Sequence, residues 1–169
     1  MDSLSLKAWE IVPPEFYIDD LMKYLVRSYY VGLLNAAALY GAAHQKPQVF
    51  SVITSLPALR DTTKKNTRIV FISTRKEIPQ KWLKTFRGRN GDFYVSKPEL
   101  TAVDLITFQK EIGGLNRACT VIYELMEVVK FGKLDKTFVT IQGGKFSKFG
   151  CLKPFSAAGM KKLTSEVRL

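Results

Sequence analysis

One histidine, two cysteines and a spaced pair of carboxylates are the residues here that catalysis or metal binding would have to use. His44 lies in YGAAHQKPQVF, residues 40–50, where an imidazole could act as a general base if a nucleophile stood beside it. No nearby serine or cysteine sits in an elbow pattern such as GxSxG. A histidine one turn past Tyr40, at the end of an apolar helical stretch, instead favours the negative end of the helix dipole. Gln45 and Lys46 can satisfy the last carbonyls in the same way, and Pro47 forces an end because the residue before proline avoids the α region. His44 therefore reads as part of a helix stop. Glu99 and Asp104, five residues apart, fall about 140° apart around a helix, which is poor for shared coordination of a metal. None of the fifteen Asp and Glu residues is followed two positions later by lysine, the acidic-x-Lys strand pattern of restriction-type nucleases. A Walker loop, GxGxxG and HExxH are also missing from the sequence. Cys119 and Cys151 are too few and too widely spaced for a disulfide framework or a zinc knuckle, and two reduced thiols are expected. The expectation is a protein that is not an enzyme, with no cofactor and no metal site.

Charge points to a different chemistry. The net charge of +11 is unevenly distributed. Residues 60–97 carry eleven Lys and Arg against Asp61, Glu77 and Asp92, and residues 130–169 carry nine against two acids, whereas 1–59 and 98–129 are slightly acidic. A solvated surface would mix the two signs; a one-sided run suits a polyanion. The candidate phosphate-contacting residues are Lys64, Lys65, Arg68, Arg75, Lys76, Lys81, Lys84, Arg87 and Arg89, with Trp82 and Phe86 among them as loop anchors or stacking platforms. Lysines 145, 148, 153, 161 and 162, interleaved with Phe146, Phe149 and Phe155, could extend the set. Such contacts position a protein on nucleic acid without reading bases.

The elements that must carry these residues follow from periodicity. FYIDDLMKYLVR (16–27) places Ile18, Leu21, Met22 and Leu25 on one helical face, with Pro13 and Pro14 marking its entry. YVGLLNAAALYGAA (30–43) reads as a second helix, apolar nearly all round and so buried. QVFSVIT (48–54), RIVFIS (68–73) and DFYVS (92–96) read as strands, and residues 74–91 as a basic loop ending in the turn signal Asn90-Gly91. Ser96 followed by Glu99 matches a capping box, with Pro98 in the first turn of a third helix that stops before Gly113-Gly114. A fourth helix sets Ala118, Val121, Ile122, Leu125 and Val129 on one face and ends at Gly132. TFVTI (137–141) is a candidate short strand. No apolar run reaches the roughly 20 residues that span a bilayer, and the N-terminus lacks a signal-peptide layout. The expected fold class is α+β: a small mixed sheet of about three to four strands packed with about four helices. The expected domain is 1–132, followed by a basic C-terminal extension, 133–169.

Four segments carry a family resemblance: IVPPEFYIDDLMKYL (11–25), YYVGLLNAAALYGAAHQKPQVFSVIT (29–54), YVSKPELTAVDLI (94–106) and GGLNRACTVIYEL (113–125). In order and spacing they resemble the antitoxin domain of AbiEi-type proteins, over roughly residues 11–130. The resemblance implies an antitoxin of a type IV toxin–antitoxin, or abortive infection, system of the kind that gives phage resistance. It implies a cytoplasmic protein, away from membranes, that antagonises a nucleotidyltransferase-like toxin without forming a stable complex with it. Family members also act as transcriptional regulators: a winged-helix domain precedes the antitoxin domain, the protein represses its own operon, and the basic surface of the antitoxin domain assists DNA contact. This sequence begins almost where the winged helix of such members ends. The operator-reading module is therefore expected to be absent, leaving the basic face, and the residues after 141 do not resemble the family's helical ending. Two other readings stand beside this one: a general nucleic-acid-binding module, and a degenerate nuclease-type enzyme.

Overall fold

The computed structural model describes residues 12–42, 47–64, 67–75, 77–78, 80–88 and 91–128. Among them are four α-helices: α1 (Ile18–Tyr24), α2 (Leu33–Leu39), α3 (Pro98–Thr107) and α4 (Leu115–Val128). Six strands form one mixed sheet: β1 (Tyr29–Val31), β2 (Val49–Ser55), β3 (Thr62–Lys64), β4 (Thr67–Thr74), β5 (Leu83–Arg87) and β6 (Asp92–Ser96). Their spatial order is β3-β4-β2-β1-β6-β5. β2 runs parallel to β4 and β1 parallel to β6, and the other three pairings are antiparallel.

The α+β class and the four helices agree with the expectation, but the sheet has six strands where three to four were expected. β1 was hidden because Tyr29, Tyr30 and Val31 are all buried and run into the apolar residues of α2 with only Gly32 between them. A three-residue strand buried on both faces has no period to read. β3 and β5 lie at the two sheet edges; β5 falls within the basic stretch 74–91 expected to be a loop, and β3 lies between the two strands expected at 48–54 and 68–73, where no element was assigned. An edge strand pairs on one side only and keeps most of its side chains in water, so its sequence resembles a loop.

Alternation along the central strands sends side chains into two cores. Tyr29, Val31, Phe50, Val52, Ile69, Phe93 and Val95 join Ile18 and Met22 of α1 on one side. Tyr30, Ile53 and Leu83 join Leu100, Leu105, Ile122 and Leu125 of α3 and α4 on the other. α2 serves both: Ala36 packs in the first core, Leu33 and Ala37 in the second. Ala118, Val121, Ile122 and Leu125 form the buried face of α4 as the spacing predicted.

Helix ends depart from the expected signals. α2 stops at Leu39, well short of Pro47. Gly41 takes a left-handed φ of 84°, its N–H donates to the Ala38 carbonyl, and the Ala42 N–H reaches back to Ala37. This paired return is the Schellman arrangement, and it ends the helix before proline is needed. The capping box is also corrected. Lys97, not Ser96, is the N-cap of α3, with no side-chain cap bond, and the Ser96 hydroxyl pairs with Thr101 Oγ1 at 2.7 Å. Pro98 does occupy the first turn. Cys119 is disulfide-bonded, which overturns the expected reduced thiol at that position. His44, Val129, Gly132, the TFVTI segment and the tail bases lie outside the described residues.

Candidate nucleic-acid interface

Strand order decides where the basic residues go. Lys64 is in β3 and Arg68 in β4, paired with Thr67 and Thr63 respectively across the β3–β4 ladder. Arg75 follows the end of β4 and is exposed. Lys81 is in a 3₁₀ turn, Gln80–Trp82, that leads into β5, and Lys84 and Arg87 are exposed on β5 opposite Val95 and Asp92. Lys65, Lys76 and Arg89 lie outside the described residues. The bases contiguous in sequence therefore divide between the two edges of the sheet, with β2, β1 and β6 between β4 and β5. At the usual strand spacing those two strands are about 19 Å apart.

The two edges differ electrostatically. Arg68 Nη2 pairs with Asp61 Oδ2 at 2.9 Å, and Asp61 Oδ1 accepts the Phe71 N–H at 3.3 Å, so this guanidinium is already matched by a carboxylate. Arg75, Lys81, Lys84 and Arg87 have no carboxylate partner among the described residues. Lys84 Nζ lies 5.3 Å from the centre of the Phe86 ring and Lys81 Nζ 5.7 Å from that of Trp82. Both rings are half-buried. Trp82 packs on the α3–α4 core, and Phe86 stacks edge-on against Tyr40 at 5.6 Å and lies beside Phe93. They anchor the edge strand and leave the ammonium groups outside. Lys97, which the sequence reading passed over, donates from Nζ to the Lys81 carbonyl at 2.8 Å and adds a cation to the β5 edge. The register of Leu83 with Ser96 brings the two together, and sequence distance concealed it.

The carboxylates do not converge. Asp104 is 3% exposed and accepts the Tyr30 hydroxyl at 3.0 Å within the core. Tyr30 is held well above its ordinary pKa by burial first and by the Asp104 charge second. Glu99, one and a half turns earlier, lies close enough to Tyr40 that burial and then this carboxylate push that phenol up to about 12. Tyr29 is also raised, by burial and by its bond to Asp19. Among the described residues, no group of three or more His, Cys, Asp and Glu could hold a metal ion. No described helix is long and apolar enough to cross a membrane.

Comparison with known proteins adds three findings. No curated protein matches the chain. Among solved structures it is similar to an antigenic nucleotidyltransferase-like protein from Paracoccidioides brasiliensis, at 8% identity over 87% of this chain and 90% of that one, with a TM-score of 0.49. The model of the family described as the AbiEi antitoxin C-terminal domain matches residues 30–143, which take in the sheet from Tyr30 onward and α2, α3 and α4. The chain therefore belongs to the AbiEi antitoxin C-terminal domain family, the antitoxin side of a toxin–antitoxin system.

Proposed function

We propose that this chain is the antitoxin of a type IV system, acting in the cytoplasm against a nucleotidyltransferase-like toxin without a lasting complex, and that its basic edges hold phosphates of operator DNA in autorepression. Family membership over residues 30–143 is the observation that carries the antitoxin role. The DNA role rests on eleven bases against three acids in residues 60–97 and on four exposed cations that have no carboxylate partner among the described residues. Bases on β4 and β5, strands about 19 Å apart, suit two phosphate backbones better than one point of contact. Exposed bases on strands and turns make contacts of the kind that position rather than select. The same placement favours a second reading, a nucleic-acid-binding module without operator preference.

Growth rescue tests the antitoxin role. The nucleotidyltransferase-like protein encoded beside this gene is expressed with and without the 169-residue chain, and colonies are counted. Restored colony formation is expected. Continued arrest, with the chain verified as folded and present, rejects this chain as a sufficient antitoxin and leaves the nucleic-acid module.

A further inference from the structure

β5 has a strand partner, β6, on one side, and among the described residues no strand pairs with its other side. The phase of the ladder decides which backbone groups that open side carries. Antiparallel neighbours alternate between pairs that exchange N–H and C=O bonds and pairs that do not. The Lys97 N–H donates to the Trp82 carbonyl and the Gly88 N–H to the Gly91 carbonyl, each at 2.8 Å, just outside the two ends of the β5–β6 register. Positions 82, 84, 86 and 88 therefore face β6. Leu83, Thr85 and Arg87 direct their N–H and C=O groups outward, a row of donors and acceptors along the open edge. The charge around this row has one sign. Lys84 and Arg87 are exposed and, by the alternation of a strand, belong to opposite faces of the sheet. Lys97 is tied to the turn before them by its bond to the Lys81 carbonyl. No acid lies within β5 itself.

We propose that the β5 edge accepts an extended acidic segment of another polypeptide as an added strand. Leu83, Thr85 and Arg87 supply the backbone pairing, and carboxylates on either face of the incoming strand meet Lys84 or Arg87. The same cations disfavour a basic strand, which is how edge bases keep a sheet from pairing indiscriminately. A second copy is a poor occupant through this edge, because β5 against β5 sets cation against cation. The extension 130–169, with nine Lys and Arg against two acids, is mismatched in the same way. The inference does not rest on the DNA reading: phosphates need the side-chain cations alone, whereas a strand also needs the backbone row.

The test titrates the ¹⁵N-labelled full chain with three peptides: N-acetyl-(Thr-Glu)₃-amide, N-acetyl-(Thr-Lys)₃-amide, and the first of these N-methylated throughout, which keeps its charges and loses its backbone donors. Saturable shifts and slowed hydrogen exchange at the Leu83, Thr85 and Arg87 amides are expected with the acidic peptide. The lysine and N-methylated peptides should bind about tenfold more weakly or worse. Thr85→Pro removes the central outward N–H, breaks no bond to β6 and keeps every charge, and it should weaken binding by about tenfold or more. Continued protection of the Lys84 and Phe86 amides in that variant verifies the ladder. Lys84→Gln combined with Arg87→Gln keeps the backbone row and should weaken binding as well. Equal binding of the N-methylated peptide identifies a general polyanion surface and overturns the proposal. So do equal binding of the lysine peptide, absence of saturable shifts, and undiminished binding in either variant. Protection of the three outward amides that rises with the concentration of the free chain gives the edge to a second copy and overturns it too.

Discussion

Val26 is the residue at which this chain most clearly departs from local preference. It follows α1 with a left-handed φ of 52°, and its side chain is 91% exposed. The Val26 N–H donates to Lys23 and the Arg27 N–H to Met22, so α1 ends in the same Schellman return that Gly41 makes after α2, but with a β-branched residue at the left-handed position. That conformation costs an L-residue roughly 1–2 kcal/mol, partly offset against glycine by the greater backbone freedom that glycine loses on folding. Val26→Gly is therefore expected to stabilise the fold by about 1 kcal/mol, read as a higher urea midpoint at unchanged m-value. The phenols supply a pH signature. Tyr29, Tyr30 and Tyr40 are all raised by burial, Tyr40 to about 12, while a tyrosine in the unfolded chain titrates near about 10. Above that pH the unfolded state loses protons that the folded state keeps, so stability is at its full value below pH of about 10 and falls as pH rises through the folded-state values. Denaturation at stepwise pH from neutral to strongly alkaline should show this fall. Tyr40→Phe should flatten part of it, beyond the constant loss of its bond to the Ser96 carbonyl.

At the scale of elements, legibility followed burial. β6 was readable to the residue because buried Phe93 and Val95 alternate with exposed Asp92 and Tyr94, and α4 because its buried residues recur at helical spacing. β3 and β5 were not, since their residues serve water and the sheet edge. β1 was not, because burial on both faces erases alternation. The candidate site was legible as composition, since the bases are where the sequence put them. Its division between two edges was not, because strand order is set by pairings between segments far apart in the chain. Of the expected Asn90-Gly91 turn, Asn90 lies outside the described residues; β5 and β6 are antiparallel, and beyond their ends the Gly88 N–H donates to the Gly91 carbonyl at 2.8 Å. A Cβ on Gly88 would stand 2.8 Å from the Gly91 carbonyl oxygen and 3.3 Å from that of Glu15. Both are backbone atoms and cannot swing aside as a side-chain end would. Gly88→Ala should cost about 1–3 kcal/mol, the usual range for overpacking, and should broaden or shift the amides of β5 while leaving those of β4 in place.

For the whole molecule, the arrangement makes charge and fold separable. Lys81, Lys84 and Arg87 have their charged ends outside the core, and replacing them by glutamine leaves Trp82 and Phe86 packed as they are. Bases on edge strands also guard a sheet against pairing with other chains, a role that needs no nucleic acid. Salt dependence distinguishes the two roles. Each neutralised phosphate contributes about 0.9 to the slope of log affinity against log salt, so six to ten contacts give a loss of about 10³–10⁵ between 50 and 200 mM. If β5 is one of two rails on duplex DNA, the triple glutamine variant should lower the slope by about three and weaken operator and scrambled duplexes alike. Measured by fluorescence anisotropy over a salt series, an unchanged slope in the variant would remove β5 from the interface and leave edge protection as the reason for its charges. A slope that falls for operator and not for scrambled DNA would assign these residues to base reading, contrary to their placement on an edge strand.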